Sequence, residues 1–282
     1  MELTPTRALL LAAAAVAVLA AGCQRRDADQ TAREAPAATA EAPLETPADA
    51  AAPLAYESDS EHAEVELTLP AAVARQPDLH ARLYSEGVAQ LRQFAEGARA
   101  DRTEYGGDMA LPAFSQSIEW AAGAETGKLF SLRRQVYEYT GGAHPNAAYG
   151  ALIWDKALKR VVEPAQLFRR GADLSSLDQA LCEAVNAAKR ERSPDARPVT
   201  LDSADSFACP RAIETPFVLA PSTTGGRAGG LLFLISPYTV GPWAEGGYEV
   251  VVPQTAFRAL VAPAYADEFA GEPAATPDAS RG

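Results

Sequence analysis

Residues 64–69, Glu-Val-Glu-Leu-Thr-Leu, alternate polar and apolar, the period of a half-buried strand, and Pro70 ends the run. From Pro77 the period changes. Leu79, Leu83, Tyr84, Val88, Leu91 and Ala95 recur at three or four residues, which predicts a helix over residues 77–100. Pro77 suits its first turn and Asp78 its positive end, while Gly87 and Gly97 weaken it modestly. Gly106-Gly107 then breaks the chain. Residues 114–122 and 129–139 read as antiparallel strands joined through residues 123–127. Residues 147–154 give a third strand, residues 155–160 a polar turn, and Val161-Val162 a short extended piece. Strands in such close succession predict an antiparallel sheet.

The second half alternates between both periods. Residues 164–168 suit one helical turn, and Asp173 is placed to cap a helix with Leu174, Leu177, Leu181 and Val185 on one stripe. Strands are expected at residues 215–219, 231–235 and 248–252. A glycine-rich hairpin turn separates the first two, and Gly225, Gly226, Gly229 and Gly230 are read as turn residues because they lack the strand-loop-helix context of phosphate binding. Phe257, Leu260 and Val261 suggest a short closing helix stopped by Pro263. The predicted fold class is α+β, an antiparallel sheet packed against a few helices.

Two loops carry most of the remaining signal. The first is Tyr139-Thr140-Gly141-Gly142-Ala143-His144-Pro145-Asn146, between two β-prone runs. Gly141 and Gly142 take positive φ cheaply, and Pro145 pushes His144 toward an extended conformation. The second runs from Ser236 through Pro237, Tyr238, Gly241, Pro242 and Trp243 to Gly247. Rings on a backbone stiffened by prolines are a good composition for a binding hot spot; the alternative is that Tyr238 and Trp243 fold back onto the sheet as core.

The N-terminus changes the picture of where the domain works. Arg7 precedes an apolar stretch, residues 8–21, which is shorter than the ~20 residues of a membrane-spanning helix. It ends in Leu19-Ala20-Ala21-Gly22-Cys23, which resembles a bacterial lipoprotein signal whose cysteine becomes lipidated. Residues 1–22 are accordingly read as signal peptide. Several acyl chains on Cys23 would give stable membrane anchoring. Gln24 after the cysteine implies, by the same resemblance, delivery to the outer membrane on its periplasmic side. Residues 23–61, rich in Ala and Pro with Pro36, Pro43, Pro47 and Pro53, read as a disordered tether, and residues 270–282 as a disordered tail.

Charge and chemistry narrow the function. A formal net charge of -12 across 282 residues disfavours nucleic acid and anionic membrane surface; it suits either a basic partner or solubility alone. Apart from Cys23, the cysteines are Cys182 and Cys209, read either as one disulfide of an oxidising compartment or as two buried thiols. A bridge would close a loop of about 28 residues, worth roughly 3 kcal/mol. His62, His80 and His144 show no metal-ligand spacing, and no nucleophile elbow, P-loop or dinucleotide fingerprint appears. No cofactor, metal or catalytic set is therefore expected. His144 is either a structural or binding residue of its loop, or an imidazole awaiting a carboxylate or nucleophile in space.

The first loop, the strand and Leu167-Phe168 that follow it, and the Pro237-Tyr238-x-x-Gly241-Pro242-Trp243 segment together resemble the RsiV C-terminal-domain-like family. That extracytoplasmic domain occurs in a lysozyme-sensing anti-sigma factor and beside a peptidoglycan deacetylase domain. The resemblance covers residues 129–269, with residues 62–128 as the strand-helix-strand region before it. Trp243 departs from the family's usual Tyr, and neither a sigma-binding segment nor a deacetylase domain is recognisable. The resemblance implies an α+β fold and a non-catalytic, envelope-facing binding or sensing role. Gly141, Gly142, His144, Pro145, Pro237, Tyr238 and Trp243 are the candidate ligand-binding residues. A lysozyme-like protein or peptidoglycan is the candidate ligand. The alternative is an accessory or catalytic protein of peptidoglycan modification, with His144 central.

Overall fold

The computed structural model describes residues 52–104 and 112–274. The signal segment, Cys23, most of the tether, the Gly106-Gly107 break and residues 275–282 lie outside the described residues. The fold is mixed α+β, built from two mainly antiparallel sheets and a few helices. The first sheet has six strands in chain order: β1 (Ala55–Asp59), β2 (Ala63–Thr68), β3 (Phe114–Glu125), β4 (Leu129–Tyr139), β5 (Asn146–Asp155) and β6 (Arg160–Val161). All neighbours are antiparallel except β2 and β3, which run parallel and so correct the expectation of a purely antiparallel sheet. Parallel neighbours need a long crossover, and α1 (Pro77–Glu104) supplies it.

The apolar stripe of α1 explains its place. Leu79, Leu83, Val88 and Leu91 pack on Val65, Leu67, Ile118, Phe130, Leu132 and Trp154 from one face of the sheet. Gly87 is part of that contact: a Cβ there would meet Leu67 Cδ2 at 2.8 Å, so the residue that weakens the helix lets it approach β2.

The opposite face of β3–β5 carries the second sheet, β7 (Phe217–Pro221), β8 (Ala228–Ile235) and β9 (Tyr248–Pro253) in that order. Alternation assigns its two faces. Val218, Ala220, Leu232 and Leu234 meet Tyr149 and Ala151 of β5. Phe217, Leu219, Leu231, Phe233, Val250 and Val252 instead share the larger core with Leu177, Leu181 and Val185 of α3 (Ser175–Arg192). The layers are therefore α1, first sheet, second sheet, α3. Cys182 of α3 is joined to Cys209 by a disulfide with Cα atoms 5.3 Å apart, so of the two readings the bridge is the one present.

Several local expectations are corrected. Residues 55–59 form an edge strand rather than tether, held by pairing with β2 and by a hydrogen bond from Leu69 N to Leu54 O of 2.7 Å. Gly229 and Gly230 lie inside β8, not in its turn. A Cβ on Gly229 would meet Glu272 O at 2.6 Å, so the position needs the bare backbone. Asp173 sits one residue outside the cap: its carboxylate accepts from Ser175 N at 3.0 Å, and α3 begins at Ser175 after a one-turn α2 (Pro164–Leu167). The closing helix is a series of 3-10 turns, Gln254–Ala256, Arg258–Leu260 and Ala266–Glu268. The start of the presumed tail is fastened to the second sheet, Ala270 N donating to Ala228 O at 3.1 Å and Ala274 N to Pro221 O at 2.9 Å.

Candidate functional site

The two conspicuous loops leave neighbouring strand ends. The first connects β4 to β5, and the second connects β8 to β9. A bond from Tyr149 N to Ser236 Oγ, 2.9 Å, fastens the outer edge of β5 to the end of β8 and brings the loops together. In the first loop Gly141 and Gly142 have φ of 91° and 106°, values that disfavour any side chain. Tyr139 Oη donates to Gly142 O at 3.3 Å. His144 Nδ1 lies 3.0 Å from Pro145 O. A carbonyl can only accept, so Nδ1 carries a proton, and Nε2 faces the Tyr238 hydroxyl, 3.5 Å away.

The imidazole lies flat on the indole of Trp243, centroids 4.0 Å apart and planes at 17°, with the Tyr238 ring 6.5 Å off. Tyr238 and Trp243 are 51% and 36% exposed, so the rings are surface groups and not core. Tyr238 has φ of +69°, a costly conformation for a bulky residue.

The last turn of α3 fixes the second loop. Lys189, nearly fully buried, donates to Val240 O at 2.6 Å and to Glu245 Oε2 at 2.7 Å. Tyr248 Oη donates to the same Glu245 oxygen at 2.8 Å. Arg192 donates to Glu245 O and, at 2.9 Å, to Gly247 O, and its guanidinium sits 3.8 Å from the Tyr248 ring centroid. Burial pushes the Glu245 carboxyl up, but hydrogen bonds from Lys189 and Tyr248 and the charges of Lys189 and Arg192 outweigh it and hold it below its ordinary range. Burial first, then the bond to Glu245, raises the Tyr248 phenol. Gly247 is needed for closeness: a Cβ would meet Tyr149 Cε2 at 2.5 Å and Ile235 O at 2.8 Å.

Between the loops lies an open cleft of about 290 Å³, lined by Tyr137, Pro145, Tyr149, Trp243, Gly246 and Gly247. Tyr137 is 45% exposed. Burial, then Tyr137 and Glu249, raise the Tyr149 phenol. A larger open cleft of about 530 Å³ lies elsewhere, along Phe168, Arg169, Leu174 and Ile213, and gathers none of these rings.

All seven ligand-binding candidates, Gly141, Gly142, His144, Pro145, Pro237, Tyr238 and Trp243, thus fall on two adjoining loops. Sequence reasoning missed Tyr137, Tyr149, Lys189, Arg192 and Glu245. The two tyrosines lie within β4 and β5 and the two cations in the last turn of α3, outside both loops, so loop composition does not point to them. The arrangement offers stacking faces, hydroxyls and carbonyls. The His144 ring nitrogens meet a carbonyl and a phenol. Among the described residues no group of His, Cys, Asp and Glu is placed to hold a metal ion, and no helix is long and apolar enough to cross a membrane.

No protein-family model matches the chain, and no curated protein does. Solved structures do. One is a DUF3298 family protein from Pseudomonas aeruginosa PAO1, 15% identical, covering 79% of this chain and 99% of that one, with a TM-score of 0.47. Another is a member of the DUF3298 family from Bacteroides fragilis NCTC 9343, 17% identical, covering 73% of this chain and 88% of that one, with a TM-score of 0.49. Both structural neighbours therefore belong to a family named for a domain of unknown function.

Proposed function

We propose that this chain is a cell-envelope lipoprotein, anchored through Cys23 to the outer membrane, whose two-loop platform is a non-catalytic binding or sensing module facing the periplasm. The observation that carries the reading is the contact of the two loops, with His144 of one stacked on Trp243 of the other beside an open cleft. Exposed aromatic rings on a braced backbone make a low-entropy recognition surface. Anchoring rests on the signal-like Leu-Ala-Ala-Gly-Cys and the Ala/Pro-rich residues after it. In this reading His144 is a loop-binding residue, its nitrogens engaging Pro145 O and the Tyr238 hydroxyl.

The resemblance to the RsiV C-terminal-domain-like family supplies the candidate ligands, a lysozyme-like protein or peptidoglycan. An acidic chain suits a basic lysozyme through electrostatic steering. The test is calorimetric titration of a c-type lysozyme, and separately of soluble peptidoglycan fragments, into the full chain and into a Tyr238→Ala/Trp243→Ala variant. Saturable binding by the wild type, lost in a variant that melts normally, is expected. Equal binding by both proteins, or none by the wild type with either ligand, would overturn the reading.

A further inference from the structure

The charged groups around the cleft are already engaged. Glu245 is held by Lys189 and Tyr248, and Glu249 by Arg133 at 2.9 Å. Arg192 donates to two loop carbonyls. Beside the Glu245 carboxylate, the lining is apolar and π surface from Tyr137, Tyr149, Pro145 and Trp243, with the backbone of Gly246 and Gly247. The one charged side chain on this lining, Glu245, is already paired with Lys189. A neutral ring with apolar C–H faces and hydroxyls at its edge would find both of its needs met: a flat aromatic platform and hydrogen-bonding groups around it. A volume of about 290 Å³ in an open trough suits one or two such rings of a longer chain that passes through it.

His144 has a separate role in this arrangement. It lies on the indole but does not line the cleft, so the Trp243 surface turned to the cleft is not the one that the imidazole covers. The imidazole stacks on the indole, and the Nδ1–H bond to Pro145 O and the approach of the Tyr238 hydroxyl hold the imidazole in turn. We propose that the cleft is a subsite for a neutral saccharide chain, with Trp243 as the stacking platform and His144 as the positioning residue that sets the indole's orientation. This rests on the binding-module reading above and adds the chemical class of its ligand.

The test uses the full chain and a defined probe, the β-1,4-linked tetramer of N-acetylglucosamine, with a lysine–arginine peptide as the charged control, followed by calorimetry and by tryptophan fluorescence. The tetramer should bind saturably and the peptide should not. Trp243→Ala should weaken binding about tenfold or more. His144→Ala should weaken it about threefold or more, and His144→Phe, which restores a flat ring on the indole, should recover most of the loss; near-UV circular dichroism establishes that each variant is folded. If the tetramer fails to bind while lysozyme binds in a Trp243-dependent way, the saccharide class is wrong and the binding module stands. If the tetramer, lysozyme and soluble peptidoglycan fragments all fail to bind, both fall. Tetramer binding indifferent to Trp243→Ala would place the subsite elsewhere. Equal losses in His144→Ala and His144→Phe would remove His144 from its positioning role.

Discussion

The pair that braces the second loop makes an asymmetric prediction. Lys189 is 3% exposed and Glu245 28% exposed at the side chain, with 2.7 Å between them. Removing one member of a fully buried pair costs about 3–5 kcal/mol, because the other is left charged and unpaired. Glu245→Ala strands an ammonium whose remaining hydrogen-bond partner is Val240 O. Water reaches the space through the exposed side of Glu245, so the expected loss falls below that range, about 2–3 kcal/mol. Lys189→Met keeps the apolar stem and leaves a carboxylate that water and Tyr248 Oη still serve, for an expected loss of about 1 kcal/mol.

Urea denaturation read by circular dichroism measures both variants. In a domain of this size the difference is also visible as a melting shift of about 2–4 °C per kcal/mol. The pH dependence has a fixed sign. The folded Glu245 carboxyl lies below its ordinary value of 4.5, so its contribution is present above that value and is lost as pH falls through the folded one. The stability gap between wild type and Glu245→Ala should therefore shrink on acidification from neutral pH. A Lys189→Met loss equal to or larger than that of Glu245→Ala would refute the burial argument, and a gap that widens in acid would refute the charge argument.

Tyr238→Gly should relieve the φ of +69° and hold or raise thermal stability by about 1 kcal/mol while weakening ligand binding; a clear loss of stability would show that the ring contributes to folding. Glu57 and Glu66 face each other across β1 and β2, as do Asp59 and Glu64, and like charges directly opposite are destabilising. Glu66→Lys should therefore raise stability by about 0.2–1 kcal/mol in denaturation, and a fall would contradict the cross-strand register. Cys209→Ser should lower stability by about 3 kcal/mol, and reductant should then have no further effect on the variant.

The sequence was readable where local period and burial agree. The strand at residues 129–139 matches β4 end to end, because one of its faces is buried against α1 and the other against the second sheet. The helix from Pro77 was legible by its stripe, but its end at Glu104 was not, because its last turn carries no large apolar residue to signal it. β1 was missed because Ala-Tyr-Glu-Ser-Asp is mostly exposed and borrows its order from β2. The parallel pairing of β2 and β3 could not be read, since register across a crossover is a tertiary property. Gly229 and Gly230 mimicked a turn because the same absence of Cβ serves close backbone packing. Both loops stood out by composition, and Tyr238 and Trp243 proved to be surface rings. Their convergence was not legible, because it depends on Tyr149 meeting Ser236 across 87 residues.

The two loops form one site through His144 and Trp243. The chain has three histidines, so the imidazole region of its proton NMR spectrum is simple, and His144→Asn assigns the relevant signal. An imidazole stacked 4.0 Å from an indole should have its ring protons displaced upfield by the ring current. In Trp243→Ala, with the rest of the spectrum unchanged, that signal should move to the position of a free histidine. A His144 signal already there in the wild type, and indifferent to Trp243, would mean that the loops do not meet and that the platform does not exist.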